Sequence, residues 1–98
     1  MDKEVIITPQ FSRQANRIYR YLFNEWSAKV AFEFTDKIWI QLQNISKYPG
    51  KGKPSAKKQN VRSVILKPHN RIYYKVTHNT IYILSIFDIR RHPSKNPY

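Results

Sequence analysis

The sequence contains no cysteine, which excludes a disulfide framework and a thiolate metal site and fits a reducing compartment. Acid is scarce: 6 Asp plus Glu stand against 18 Lys plus Arg, a net charge of +12 on 98 residues. Self-repulsion of that size makes an acidic partner the first thing to look for, with nucleic acid and an acidic protein as the leading candidates. No stretch approaches the ~18 apolar residues of a membrane span, and the apolar run behind Glu4 is shorter than a signal-peptide core. A cytoplasmic location with no membrane partner is therefore expected. The three histidines, His69, His78 and His92, are scattered and lack a nearby carboxylate cluster, so neither a metal nor another cofactor is expected.

What the chain does have is apolar and aromatic material. Hydrophobic residues make up 41% and aromatics 14%, seven of them tyrosine. A chain of this length buries roughly 60 to 65% of its unfolded surface, enough for a single core, and aromatics supply the burial that ordering requires. One folded domain over residues 1–98 is expected.

The periodicity divides the chain into a helical half and a strand half. Residues 4–8 are a short β-branched run that stops at Pro9 and predict a first strand. Thr8 and Pro9 then start a helix, since threonine caps free N–H groups and proline fits the first helical position. Phe11, Ala15, Ile18 and Leu22 give it one apolar stripe, ending near Asn24. Ser27 caps a second helix with the stripe Ala31, Phe34, Ile38, Leu42 and Ile45, and Trp39 beside it, which stops at Tyr48-Pro49-Gly50. The short joint folds the two helices back as a hairpin. Residues 50–60 hold both glycines and four lysines and predict an exposed loop.

From Val61 the period becomes two. Residues 61–67, 71–77 and 80–89 read as three strands of an antiparallel meander. The fold class expected is α+β, an N-terminal strand and a helical hairpin packed on a mainly antiparallel four-stranded sheet. With His78-Asn79 as a two-residue loop, Lys75 lies opposite Tyr82 and Tyr73 opposite Leu84. The helix-covered face is then Ile72, Tyr74, Val76, Ile81, Ile83, Phe87 and Ile89. The other face carries Arg71, Tyr73, Lys75, Tyr82, Asp88 and Arg90, with Leu84 and Ile86.

The basic charge concentrates at connections and strand edges: KGKPSAKK at 51–58, Arg71 with Lys75, and Arg90-Arg91-His92. Lys51, Lys53, Lys57 and Lys58, with Arg62, Lys75 and Arg90, are candidates for gripping an RNA backbone through salt-sensitive contacts; a solubilising loop is the plainer alternative for the lysines. Tyr73 and Tyr82 could stack on bases or simply pack together. RNA cleavage by attack of a 2′-hydroxyl needs a proton acceptor, a proton donor and fixed positive charge for the pentacovalent phosphate. Arginine meets the last need with its planar fork, so Arg71 and Arg91 are candidates; pairing with Asp88 is the structural alternative for Arg71. His92 titrates near neutrality and is a candidate acid or base.

The succession of short strand, helical hairpin ending in Pro-Gly and VRSVILKPHNRIYYKVTHNTIYILSIFDIRRHPSK at 61–95 resembles the RelE/ParE superfamily of toxins from type II toxin–antitoxin modules. The resemblance implies a cognate acidic antitoxin as partner. Gly50-Lys-Gly-Lys-Pro54 is similar to the lysine-bearing loop of the YoeB branch, which cuts messenger RNA on the ribosome; that branch places a catalytic glutamate after the proline, where this chain has Ser55. The RelE branch carries lysines on the strand opening the meander, where Arg62 and Val64 stand here. Arg71 matches the arginine of both branches, Arg91 falls near a second arginine of RelE, and Tyr98 is a candidate for the C-terminal catalytic tyrosine. On this reading the chain is a ribosome-dependent endoribonuclease with ribosome and mRNA as partners. The ParE branch shares the fold, does not cleave RNA and poisons DNA gyrase; the hairpin with YLFNEW at 21–26 and YPG at 48–50 resembles it equally. A nucleic-acid-binding module without toxicity is the third reading.

Overall fold

The structure is a computed structural model that describes residues 3–90 and 96–98. Its elements run β1 (Glu4–Ile7), α1 (Pro9–Glu25), α2 (Ala28–Lys47), a short 3-10 turn (Pro49–Lys51), β2 (Lys53–Pro54), β3 (Val61–Leu66), β4 (Asn70–Val76) and β5 (Thr80–Asp88). The strands form one sheet in the order β1-β5-β4-β3-β2. All pairs are antiparallel except β1 with β5, which is parallel. The α+β class and the hairpin-on-sheet arrangement are as expected. The fifth strand is β2, which lies within the segment read as a loop.

Both helices start where the caps predict. The Thr8 hydroxyl accepts from Phe11 N (3.2 Å) and donates to the Ile83 carbonyl (2.8 Å), so one side chain caps α1 and ties it to β5. The Ser27 hydroxyl accepts from Val30 N at 3.1 Å. Phe11 of α1 and Phe34, Leu42 and Ile45 of α2 meet Leu66, Ile72, Tyr74, Ile81, Ile83 and Ile86 of the sheet in one core, with Ala15, Ile18, Leu22 and Ile38 packed on it. The apolar stripes read from spacing are thus the buried ones. Trp39 does not join them; it is 61% exposed, as Trp26 is at 70%.

The facing of β5 departs from the alternation predicted. Val76, Lys75 and Tyr74 lie opposite Ile81, Tyr82 and Ile83 as expected, but Tyr73 then lies opposite Ser85, Ile72 opposite Ile86 and Arg71 opposite Phe87. Leu84 is the extra residue of a β-bulge, which shifts every later side chain by one position. Ile86 therefore enters the core and Phe87 moves to the face away from the helices, the reverse of the expectation. The bulge also moves Asp88 opposite Asn70 and so away from Arg71.

Past Ile7 there is no further β1 residue to pair with β5, and α1 supplies the missing hydrogen bonds. Gln14 Oε1 accepts from Ile86 N at 2.9 Å, and Gln10 Nε2 donates to Ser85 Oγ. Backbone groups at a sheet edge need such partners once buried.

Candidate functional site

The sheet face away from the helices carries the most concentrated chemistry. Register and alternation place Lys53, Val61, Ser63, Ile65, Arg71, Tyr73, Lys75, Tyr82 and Phe87 on it. Arg71 Nη1 donates to Ser63 Oγ at 2.9 Å, which fixes the guanidinium between β3 and β4. Ser63 was not anticipated as a functional residue. Its place opposite Tyr73, two pairs from Arg71 and on the same face, follows from the β3–β4 register alone.

The C-terminal residues lie across this face. The ring of Tyr98 stacks on Tyr73 with centroids 5.0 Å apart, and Phe87 stands 5.9 Å from Tyr73 and 6.4 Å from Tyr98. Asn96 Nδ2 donates to the Tyr73 hydroxyl at 2.7 Å, and Asn96 Oδ1 accepts from Tyr98 N at 2.9 Å. The lysine loop joins from the other side: Ser55 Oγ donates to the Tyr98 carbonyl and Lys57 Nζ to the Asn96 carbonyl at 2.7 Å. Tyr73 is buried on a nominally open face for this reason. Sequence spacing gave no sign of Asn96, and the bulge hid Phe87.

The candidate residues therefore separate into groups. Arg71 and Tyr98 share the face with Lys53, Lys57 and Lys75. Arg62 does not, because it lies opposite Tyr74 and Pro54 on the other side of the sheet, with Nη1 donating to the Gly52 carbonyl at 2.8 Å. Val64 is on that covered side as well. Lys51 Nζ sits 4.5 Å from the Tyr48 ring centroid at the end of α2, and Lys58 N donates to Ser55 Oγ at 3.1 Å within the loop. Arg90 pairs with Asp88 at 3.0 Å, a contact that raises the pKa of the guanidinium. The pairing of Arg71 with Asp88 considered above gives way to the bond with Ser63. Arg91 and His92 lie outside the described residues.

The loop is anchored from beneath by Tyr74. Its buried hydroxyl donates to the Pro49 carbonyl (2.7 Å) and accepts from Gly52 N (3.1 Å). Burial raises the pKa of this phenol, with the Gly52 N–H and the Arg62 charge pulling the other way. A Cβ on Gly52 would come within 2.2 Å of the Tyr74 oxygen, so glycine is required there by close approach.

A second feature is a groove of about 1310 Å³ between the hairpin and the far end of the sheet. Ile18, Leu22 and Phe34 line its apolar side, and Arg17, Lys37 and Lys67 are among the cations around it. No helix among the described residues is long and apolar enough to cross a membrane.

Comparison with known proteins agrees with this architecture. The "Chromosomal ParDE TA system from P. aeruginosa" superposes with a TM-score of 0.75 at 20% identity, covering 88% of this chain and 95% of that one. The toxin–antitoxin complex RelBE2 from Mycobacterium tuberculosis gives 0.61 at 16% identity, covering 90% and 99%. The YoeB dimer from Staphylococcus aureus gives 0.55 at 24% identity, covering 85% and 92%. No curated protein matches the sequence. At these identities the structures establish likeness of fold alone, and the sequence profile of one family carries the assignment. The family described as "ParE toxin of type II toxin-antitoxin system, parDE" matches residues 5–93, and the chain belongs to it, within the RelE/ParE superfamily of toxins.

Proposed function

We propose that this toxin arrests growth without cutting RNA, by ParE-like inhibition of DNA gyrase, and that an acidic antitoxin neutralises it. One observation carries the choice: at positions 55, 62 and 64, where the ribonuclease branches carry their glutamate or lysines, no acid or base stands beside Arg71. Position 55 is a serine occupied by the Tyr98 carbonyl, and positions 62 and 64 face the helices. Fixed positive charge alone stabilises a transition state but moves no proton. The family match favours the same reading. An acidic amphipathic helix fits the groove beside the hairpin, its apolar side against Ile18, Leu22 and Phe34 and its carboxylates toward Arg17, Lys37 and Lys67.

Ribosome-dependent cleavage of mRNA is the second reading, favoured by the stacking of Tyr98 on Tyr73 on the face that carries Arg71. Induced expression in a host lacking the antitoxin separates the two. The expected result is growth arrest with intact messages, loss of plasmid supercoiling by purified gyrase, and relief by a co-expressed antitoxin. Messages cut within A-site codons, and cutting slowed by a factor of about 10² to 10³ in Arg71→Ala, would overturn it in favour of the ribonuclease. Normal growth at verified expression would overturn both.

A further inference from the structure

The sheet edge formed by β2 and β3 carries a second cation, Arg62, on the side of the sheet away from Arg71. Asn60 (φ 64°) turns the chain into β3 there, its carbonyl accepting from Val76 N at 2.9 Å. Between this turn and the start of the lysine loop lies a solvent-open pocket of about 490 Å³. Arg62, Lys58, Gln59, Asn60 and Ser55 are its polar lining residues, and Pro54 and Val76 are among its apolar ones.

Arg62 is the informative member. It is half-buried and meets no carboxylate among the described residues, its one hydrogen bond going from Nη1 to the Gly52 carbonyl. Guanidinium has five N–H groups, and no buried side-chain nitrogen among the described residues lacks a partner. The N–H groups not given to Gly52 therefore reach solvent. Gly52, itself held by the Tyr74 hydroxyl, fixes the fork in place, so an incoming anion would immobilise little.

The geometry points to a one-nucleotide subsite, with a phosphate ester on Arg62 and Lys58, the sugar and base against Pro54 and Val76, and the base edge within reach of Gln59 and Asn60. The volume falls in the range of about 300 to 1,000 Å³ usual for small-ligand pockets and exceeds what a bare phosphate fills. The amide side chains and the apolar wall are what a nucleoside adds to an anion. This site depends on neither reading of the toxin's action, because its anion-binding residue Arg62 lies on the opposite side of the sheet from Arg71.

The test is an amide-resolved NMR titration of the whole chain with adenosine 5′-monophosphate, inorganic phosphate and a ten-residue single-stranded oligodeoxyadenylate. Shifts centred on residues 58–62 are expected, with the monophosphate binding more tightly than phosphate. Arg62→Gln should weaken binding about tenfold or more, the loss of a charge-assisted fork, and Arg62→Lys should restore part of it. Saturation by the monophosphate identifies a free nucleotide as a sufficient ligand; response to the oligonucleotide alone identifies one unit of a strand. Unmoved signals at 58–62 with both nucleotide ligands would overturn the site, as would unchanged affinity in a folded Arg62→Gln protein. Should that variant fail to fold, the wild-type shifts decide the matter by themselves.

Discussion

A single hydroxyl organises the approach to the basic loop. Tyr74 satisfies both Pro49 and Gly52 from inside the core, so Tyr74→Phe leaves a half-buried carbonyl and a buried N–H without their partner. The expected cost is about 1 to 3 kcal/mol in chemical denaturation. The raised pKa adds a pH signature. The folded state holds its proton above the ordinary value of 10.0, so above that pH the unfolded chain binds fewer protons and stability declines as pH rises. The contribution is complete below pH 10 and is lost through the raised value; the alkaline decline should be shallower in Tyr74→Phe than in wild type. Gly52→Ala drives a methyl against the same oxygen and should cost about 1 to 3 kcal/mol. Because the closest approach is to the hydroxyl, ahead of the ring carbon and the Ser63 carbonyl, that cost should shrink without vanishing in the Tyr74→Phe background, and strictly additive energies in the double-mutant cycle would argue against it.

At the level of elements, the decisive event is the bulge at Leu84. A strand of nine residues read by strict alternation sends Phe87 inward and Ile86 outward; one inserted residue reverses both. Alternation is a local rule and carries no mark of an insertion, whereas the bulge arises where β5 outruns β1 and is met instead by α1. Gln14→Ala removes the acceptor for Ile86 N and should cost about 1 to 3 kcal/mol. Hydrogen exchange should show the Ile86 amide losing protection while that of Ile81, toward the other end of β5 between β1 and β4, keeps it. Equal loss at both positions would mean that Gln14 supports the whole fold rather than this edge. The helices were legible for the opposite reason: their caps and stripes are short-range patterns, and Thr8, Ser27 and the 3.6-residue spacing suffice to place them.

For the whole molecule, charge dominates. A net +12 is held within a radius of gyration of 13.4 Å, and among the described residues the one ion pair within 4.0 Å is Arg90 with Asp88. Like-charge repulsion then opposes folding, and salt screens it over a Debye length that falls from about 30 Å at 0.01 M to about 8 Å at 0.15 M. The melting temperature of the isolated toxin should therefore rise with sodium chloride over that interval. A melting temperature that falls would show that attractive pairs outweigh the repulsion. An acidic partner supplies the same relief, so the melting temperature of an antitoxin complex should depend less on salt than that of the free chain.

The sequence alone determined the α+β class, the two amphipathic helices with their caps, the three-stranded meander and the cationic character, because each is written in local periodicity, capping chemistry or net composition; the superfamily was legible as a resemblance in the order of its motifs. It also marked Arg71 and Tyr98, which do share a face. Only the tertiary structure decided which basic residues stand together. Arg62 and Arg71 are both cations on neighbouring strands, yet the β3–β4 register puts them on opposite sides of the sheet. Asn96 and Tyr98 reach Tyr73 across more than twenty positions of chain, and Ser55 reaches Tyr98 across more than forty. Such pairings depend on how strands register and where a bulge falls, which is settled when the helices close over one face, and nothing in the spacing of residues along the chain encodes it.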